Sequence, residues 1–528
     1  MKPTAEQQQA LDAFSSGGSL KIIAGAGTGK TTTLKLLSSS TSRSGVYLAF
    51  NKAMADDAKK RMPGTVAVST AHSLAFRGTK GAYARKVGSR ITARQAAEIA
   101  GVKSGVTLAS PRGPVDLYGT SVGYFLLDWV RAFCNSDRDT LDTDNLSYSR
   151  PLAWLGVDPN EATADDFRAA RTLVEPLAPN AQRLWDAMAD VRNDAPATHD
   201  VYLKKWVMSR PLLPADFVLF DEAQDANPLM LQLVAAQPAQ RVYVGDPNQQ
   251  IYAWRGACNA MESVPAERTT TLSESFRFGP QIAEFANLVL SNYCRSPLRL
   301  TGRGYWDGHD DGPDATICRT NAGVIAVLAD LPVSDTHIAG GTDQAVGLLR
   351  GMQDLRSTGK TVQSDLAHFA NWDEFVEHVK ESKDELATLL KLSKAGGEIE
   401  PLIALLSRTQ QKPDRARFVL STGHKCKGLE WGRVSLSSDF VAPNSDGDFT
   451  AALRGERANL LYVAGTRAKH TLLLPSAASQ VLSCKDVYDD REGAAKGNPE
   501  PVQSALMARL LQRKGKAAKP EQIGLLAA

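Results

Sequence analysis

Lys30 and Thr31 end a glycine-rich run, Ala24, Gly25, Ala26, Gly27, Thr28, Gly29, Lys30, Thr31 and Thr32. It fits the spacing GxxxxGK[ST] except that alanine stands in the first glycine's place. Such glycines let successive backbone N–H groups wrap a phosphate chain, and the positive end of the following helix adds attraction. A lysine at this position reaches the β- and γ-phosphates, and the next hydroxyl ligates Mg²⁺. A glycine turn with a chance Lys-Thr pair is the competing reading. The β-rich run Leu20–Ala24 before it and the helical run after it supply the strand–turn–helix context that a phosphate loop requires.

Farther along, the apolar run Phe217–Phe220 ends in Asp221 and Glu222, followed by Gln224 and Asp225. Opposite a phosphate loop, Asp221 suits the Mg²⁺ shell and Glu222 suits polarising the attacking water. Alone, an Asp-Glu pair is as readily a solvated strand end. A third segment, VGDPNQQIYAWRGA (residues 244–257), places Tyr252, Trp254 and Arg255 beside polar and glycine residues. Aromatics two apart on an extended segment share one side. Beside an arginine they suit stacking on unpaired bases, worth roughly 1–3 kcal/mol per base. A purely core role for Tyr252 and Trp254 is the alternative, although a buried strand carries more aliphatics.

These groups need a scaffold that delivers strand ends to one place. Short strands at 20–24, 46–50, 65–69, 216–220, 241–245 and 417–421 alternate with helical stretches, which predicts α/β units with parallel sheets. The rhythm breaks for mostly helical stretches at about 77–209 and 330–413, and the end of the chain turns polar. At roughly 150 residues per domain, 528 residues suggest three or four folding units. The 61 basic and 58 acidic residues give a net charge of +3, which excludes a polybasic coating of DNA but leaves room for a local basic groove. Six scattered cysteines, with no CxxC, predict neither a disulfide framework nor structural zinc. Without a signal-peptide core or a long apolar run, the expected setting is soluble and cytoplasmic, nucleoid-associated in a bacterium.

In order, TAEQQQAL, AGAGTGKTT, AFNKAMADDAKKRM, TAHSLAF, FDEAQD, VGDPNQQIYAWRGA, LSESFRFGPQIAEFAN, STGHKCKGLEW and RANLLYVAGTRAKH resemble the UvrD/Rep family of superfamily 1A DNA helicases. YLAFNKAMADDAKKRM, FCNSDR and GHKCKGLEW are most similar to the helicase region of F-box DNA helicases, without implying their ubiquitin-ligase side. The resemblance spans Thr4 to His470. It implies two RecA-like P-loop NTPase domains, each with a helical insertion, in a 1A/1B/2A/2B layout. Domain 1A would take 1–76 and 210–265, insertion 1B 77–209, domain 2A 266–329 and 414–490, and a reduced 2B 330–413. Residues 491–528 would form a polar tail.

The same resemblance implies ATP and Mg²⁺ as cofactors. It assigns Gln7 and Phe276 to the adenine base, Glu430 to the nucleotide sugar, and Gln249, Arg277 and Arg467 to the γ-phosphate. Asn51, His72, Tyr252, Trp254, Arg255, Thr422 and His424 match positions that contact single-stranded DNA. One departure is at the second motif, where the family has an aromatic two residues before Asn-Lys-Ala and this chain has Ala49 and then Phe50. Phe50 is either a buried strand residue or a base-stacking group. The expected activity is 3′→5′ movement on single strands and at ss/ds junctions in repair, recombination or replication. The alternatives are a translocase that strips recombinase or other proteins from DNA, and an ATP-switched binding module without turnover.

Overall fold

The computed structural model describes residues 2–493, apart from 90, 103–104, 145, 158–161, 253–255, 307–311, 360, 362, 364–365, 367–368, 370, 374, 377–384, 394–396, 442–452 and 454. Trp254, Arg255 and nearly all of the expected polar tail therefore lie outside the described residues. Arg491, at the start of that expected tail, sits in a 3₁₀ turn and pairs with Asp489.

Two six-stranded sheets organise the chain. The first contains β1 (Leu20–Ala24), β2 (Gly45–Ala49), β3 (Val66–Thr70), β6 (Phe217–Phe220), β7 (Gln240–Gly245) and β8 (Arg268–Leu272), in the order β3-β2-β6-β7-β1-β8 with every pairing parallel. Its central strands are apolar on both sides, as helices on both faces require. Phe217 and Leu219 enter one core with Leu20, Ile22 and Leu34, while Val218 and Phe220 enter the opposite core with Val46 and Leu48.

A short hairpin pairs β4 (Gly105–Leu108) with β5 (Val115–Tyr118), and β9 (Glu274–Ser275) pairs with β10 (Thr301–Gly302). The second large sheet has β11 (Asp314–Cys318), β12 (Thr336–Ile338), β13 (Phe418–Thr422), β14 (Trp431–Leu436), β15 (Ala468–Leu473) and β16 (Val487–Asp489). Their order is β12-β13-β11-β14-β15-β16, parallel except for the antiparallel edge strand β16. Two RecA-like α/β halves are thus present.

Two expectations need correction. The second half does not begin at 266, because β8 pairs along β1 as the edge of the first sheet. A run of Thr and Arg at 268–271 satisfies an exposed edge as well as a new start. The stretch 77–209 is mostly helical, as expected, with the short hairpin β4/β5 inside it. The stretch 330–413 is not wholly an insertion, since β12 pairs with β13 in the second sheet. The helices Asp343–Thr358 and Ile399–Ser407 share one core with Leu420 of β13 and Ile338 of β12. No helix among the described residues is long and apolar enough to cross a membrane.

Candidate functional site

Parallel strands present their carboxyl ends on one side of a sheet, and ligands gather there. At the end of β1, Gly27 (φ +73°) and Gly29 (φ +78°) take left-handed conformations that favour glycine. Helix α2 (Lys30–Ser39) begins directly after Gly29. Across β7, the end of β6 carries Asp221 and Glu222, and the turn after β7 carries Asp246 and Gln249.

Lys30 Nζ lies 2.9 Å from Glu222 Oε1. Burial alone would depress the Lys30 ammonium, but Glu222, Asp221 and Asp246 outweigh it and hold it above the ordinary lysine value. Burial would likewise raise Glu222. Lys30 and then Lys427 override it, so that its carboxyl is lowered to about 2. Asp221, fully enclosed, is pushed up by burial and by Glu222. Its Oδ2 accepts from the Tyr47 hydroxyl and its Oδ1 from Glu222 N at 2.9 Å.

The second half supplies three cations. Arg277 Nε donates to Glu430 Oε2 at 2.9 Å and its Nη1 to Thr466 O at 3.1 Å. Arg467 is buried, donating from Nε to Val463 O at 2.8 Å. Burial and then the neighbouring Arg277 lower it to about 10, which leaves it charged at neutral pH. Lys427 pairs with Asp225, donates to Gln249 O at 2.9 Å and stands 3.8 Å from Glu222 Oε2. A cavity of about 460 Å³ is lined by Lys30, Glu222, Asp225 and Gln249 from the first half and by Arg277, Lys427 and Arg467 from the second. With Asp57 also in the wall, three acids and four cations surround one cleft, which suits a polyanion whose charge shifts during reaction.

Residues 7–255 match the AAA domain model, and residues 347–479 match the UvrD-like helicase C-terminal domain model. The second of these regions carries the UvrD-like helicase C-terminal domain, and both matches fall in the order of a UvrD-like helicase. The chain is 28% identical to F-box DNA helicase protein 1 of Schizosaccharomyces pombe over 89% of its own length and 57% of the relative's. It is 28% identical to F-box DNA helicase 1 of Gallus gallus over 92% of its length and 50% of the relative's. Against ATP-dependent DNA helicase PcrA of Leuconostoc citreum the identity is 26%, over 44% and 29%. The chain spans about half the length of the two F-box relatives it matches.

The remaining expected residues divide into those at the cleft and those held elsewhere. Gln7 is buried and, with Thr4, forms a capping box on the helix Ala5–Ser15. Phe276 is half exposed beside Gly29, where a Cβ would lie 4.0 Å from its ring. Gln249 Nε2 is bonded to Asp246 Oδ2 at 2.8 Å, and Glu430 is bonded to Arg277 rather than standing alone. Asn51 caps the helix Lys52–Arg61 by accepting from Met54 N. His72 is not joined to the cleft but to Asp200 of the first insertion, at 3.1 Å. Thr422 ends β13, and His424 two residues on faces Tyr252 with ring centroids 6.2 Å apart.

Phe50 is resolved in favour of display. It lies just past β2, is 40% exposed, and stacks on Tyr252 with centroids 5.8 Å apart and planes 14° apart. Tyr252 fits both sequence readings in part, since it is half-buried against the second core yet lines the cavity.

Sequence reasoning missed Lys427, Asp246 and Tyr462. Lys427 precedes Gly428 in GHKCKGLEW, and its charge beside a glycine was the available signal. Tyr462 reads as an ordinary core residue in LLYVAG. It is fully buried, accepts from Ala26 N at 3.0 Å and donates to Asp246 Oδ2 at 2.9 Å, so one phenol joins both halves. Tyr462→Phe leaves the Ala26 N–H buried without that partner. The expected loss is about 1–3 kcal/mol, read as a lower urea midpoint at unchanged slope.

Proposed function

We propose that this chain is an ATP-dependent motor on single-stranded DNA that couples Mg·ATP hydrolysis to strand separation. The observation that carries the reading is the cleft shared by Lys30, Glu222 and Gln249 of the first half and Arg277 and Arg467 of the second. Residues 24–32 would cradle the phosphates, with Lys30 released from Glu222 to the β- and γ-oxygens. Freed of that partner, the Glu222 carboxylate would polarise the attacking water. Arg277 and Arg467 would meet the developing charge only when the halves close, and such arginines are worth about 10³–10⁵ in rate.

Thr31 and Asp221 would hold Mg²⁺. One hydroxyl and one buried carboxylate fit a hard cation that completes its shell with phosphate oxygens and water. The ion, when bound, supplies charge neutralisation on the phosphates. Among the described residues no group of three or more His, Cys, Asp or Glu could by itself hold a metal ion.

Phe50, Asn51, Tyr252 and His424 lie where the carboxyl ends of β2 and β13 and the segment after β7 meet, and there they would grip the strand. Trp254, Arg255, His72 and Thr422 match strand-contacting positions of the family and would be tested with them. A 3′→5′ polarity is the direction that the family resemblance supports. Unwinding of duplexes bearing a 3′ or a 5′ tail, with ATPase measured with and without single strands, tests the whole reading. An ATPase indifferent to DNA would sink the motor and favour the switch without productive turnover.

A second reading, a translocase that clears recombinase or other proteins with little unwinding, is favoured by the small 330–413 region, whose described helices join the second sheet's core. Robust unwinding of naked duplex would count against it.

A further inference from the structure

Glu6 stands beside Gln7 in the first turn of the helix Ala5–Ser15, but its carboxylate serves a segment 267 residues away. It accepts from Ser273 N at 2.7 Å, from Glu274 N at 3.4 Å and from Ser273 Oγ. Ser273 follows β8, the last strand of the first sheet, and β9 begins immediately after it. Phe276 and Arg277 come next. This crossover is pinned from two more sides: Phe276 N donates to Gly27 O at 2.9 Å, and Arg303 N donates to Ser275 O at 2.7 Å.

The crossover and the first helix meet over the start of α2. A Cβ built on Gly29 would lie 3.8 Å from Gln7 Nε2 and 4.0 Å from Phe276 Cδ2, so the amide and the ring flank one space. Gln7 is itself fixed, its Oε1 accepting from Thr4 N at 3.1 Å and its Nε2 donating to Thr33 Oγ1 at 3.3 Å. Phe276 is half exposed and has no comparable anchor on its ring. What sets the ring opposite the amide is the backbone just before it, and Glu6 holds that backbone.

We propose that Glu6 is a positioning residue for the nucleotide base, fixing the crossover so that Phe276 faces Gln7 and thereby setting the preference for adenine. The proposal rests on reading Gln7 and Phe276 as base contacts of an ATPase. A carboxylate accepting from backbone N–H groups makes stronger, more directional bonds than a neutral acceptor. The plainer role, an acid favouring the positive end of its own helix, would affect stability alone.

The test compares the full chain with Glu6→Ala and Glu6→Gln. It measures kcat and KM for ATP and for GTP with Mg²⁺ and saturating single-stranded DNA, and ATP and GTP affinity by displacement of a fluorescent ATP analogue. Glu6→Ala is expected to raise KM for ATP about tenfold, with kcat within about twofold and GTP little changed, the scale of one charge-assisted hydrogen bond. The ATP-over-GTP preference falls accordingly. Glu6→Gln, which keeps one acceptor oxygen, should recover most of it.

Equal losses with ATP and GTP, or a lower melting temperature with the preference intact, would overturn the proposal. Should Glu6→Ala fail to fold, Ser273→Ala removes one of the three bonds and must shift the preference in the same direction by a smaller factor. If the parent hydrolyses nothing, the motor reading fails, and the displacement arm still decides whether Glu6 governs base preference.

Discussion

Lys30→Ala is expected to abolish ATP hydrolysis while single-stranded DNA affinity stays within about twofold, as for sites that share no partner. Removing one preorganised donor to a developing phosphate charge costs about 10²–10³ in kcat. Here the loss is compounded, because Lys30 is also the nearest cation to Glu222, and both side chains are largely enclosed. Breaking a buried pair from one side costs about 3–5 kcal/mol. Lys427, at 3.8 Å, still faces Glu222 and moderates that figure. Lys30→Ala should therefore melt earlier than the parent, and ATP should no longer raise its melting temperature. Filter binding or anisotropy with a fluorescent oligonucleotide checks the DNA arm. A parallel loss of DNA binding would mean that Lys30 supports the fold of both sites.

The second large effect is expected at Lys427→Ala. Lys427 sits in the segment after β13 that carries His424, yet its ammonium reaches Asp225, Glu222 and the Gln249 carbonyl. It also stands 5.4 Å from the centroid of the Tyr252 ring. Its removal cuts a direct link between the proposed strand grip and the acids. DNA stimulation of the ATPase should fall by about 5–150-fold, the range of a coupling energy of about 1–3 kcal/mol. Hydrolysis without DNA should change far less, and a steady-state assay with and without oligonucleotide reads the ratio.

Lys427→Ala also carries a pH signature. Burial raises the Asp225 carboxyl to about 6 even though Lys427 lowers it, and Asp225 Oδ1 has no hydrogen-bond partner. Without Lys427 the carboxyl rises further. A carboxyl whose folded value exceeds its unfolded value takes up a proton on folding, so its cost to stability grows as pH rises through the interval between them. The stability deficit of Lys427→Ala relative to the parent should thus narrow from pH 8 to pH 5.5, as urea unfolding at the two values would show.

Much of the fold was legible because the signals are local. The strand at Leu20–Ala24 coincides with its expected bounds, and the other expected strands are displaced by a residue at one or both ends. Apolar β-branched runs bounded by glycine or polar turns need no distant partner to declare themselves. The misplaced boundary at 266 and the overlooked β12 share one cause. A short edge strand such as Thr336–Ile338 has no distinctive pattern, and only pairing along β13 makes it a strand. Phe50 was ambiguous for a related reason, since one residue past a strand end either face is open to it.

What the sequence determined by itself was a strand–glycine turn–helix pattern at Ala24–Thr32, an acid pair at Asp221 and Glu222 after an apolar strand, and an ordered set of motifs resembling those of UvrD-like helicases. Spacing carries such information because a loop, a strand end or a cap is made by residues close in the chain. Only the tertiary structure decided who faces whom. Lys427 reaches Asp225, Tyr462 joins Ala26 to Asp246, and Glu6 holds Ser273, pairs 202, 436, 216 and 267 residues apart. Contacts at that separation leave no local pattern. They exist because two sheets pack with their carboxyl ends toward one cleft, where buried charges and N–H groups must find partners across it.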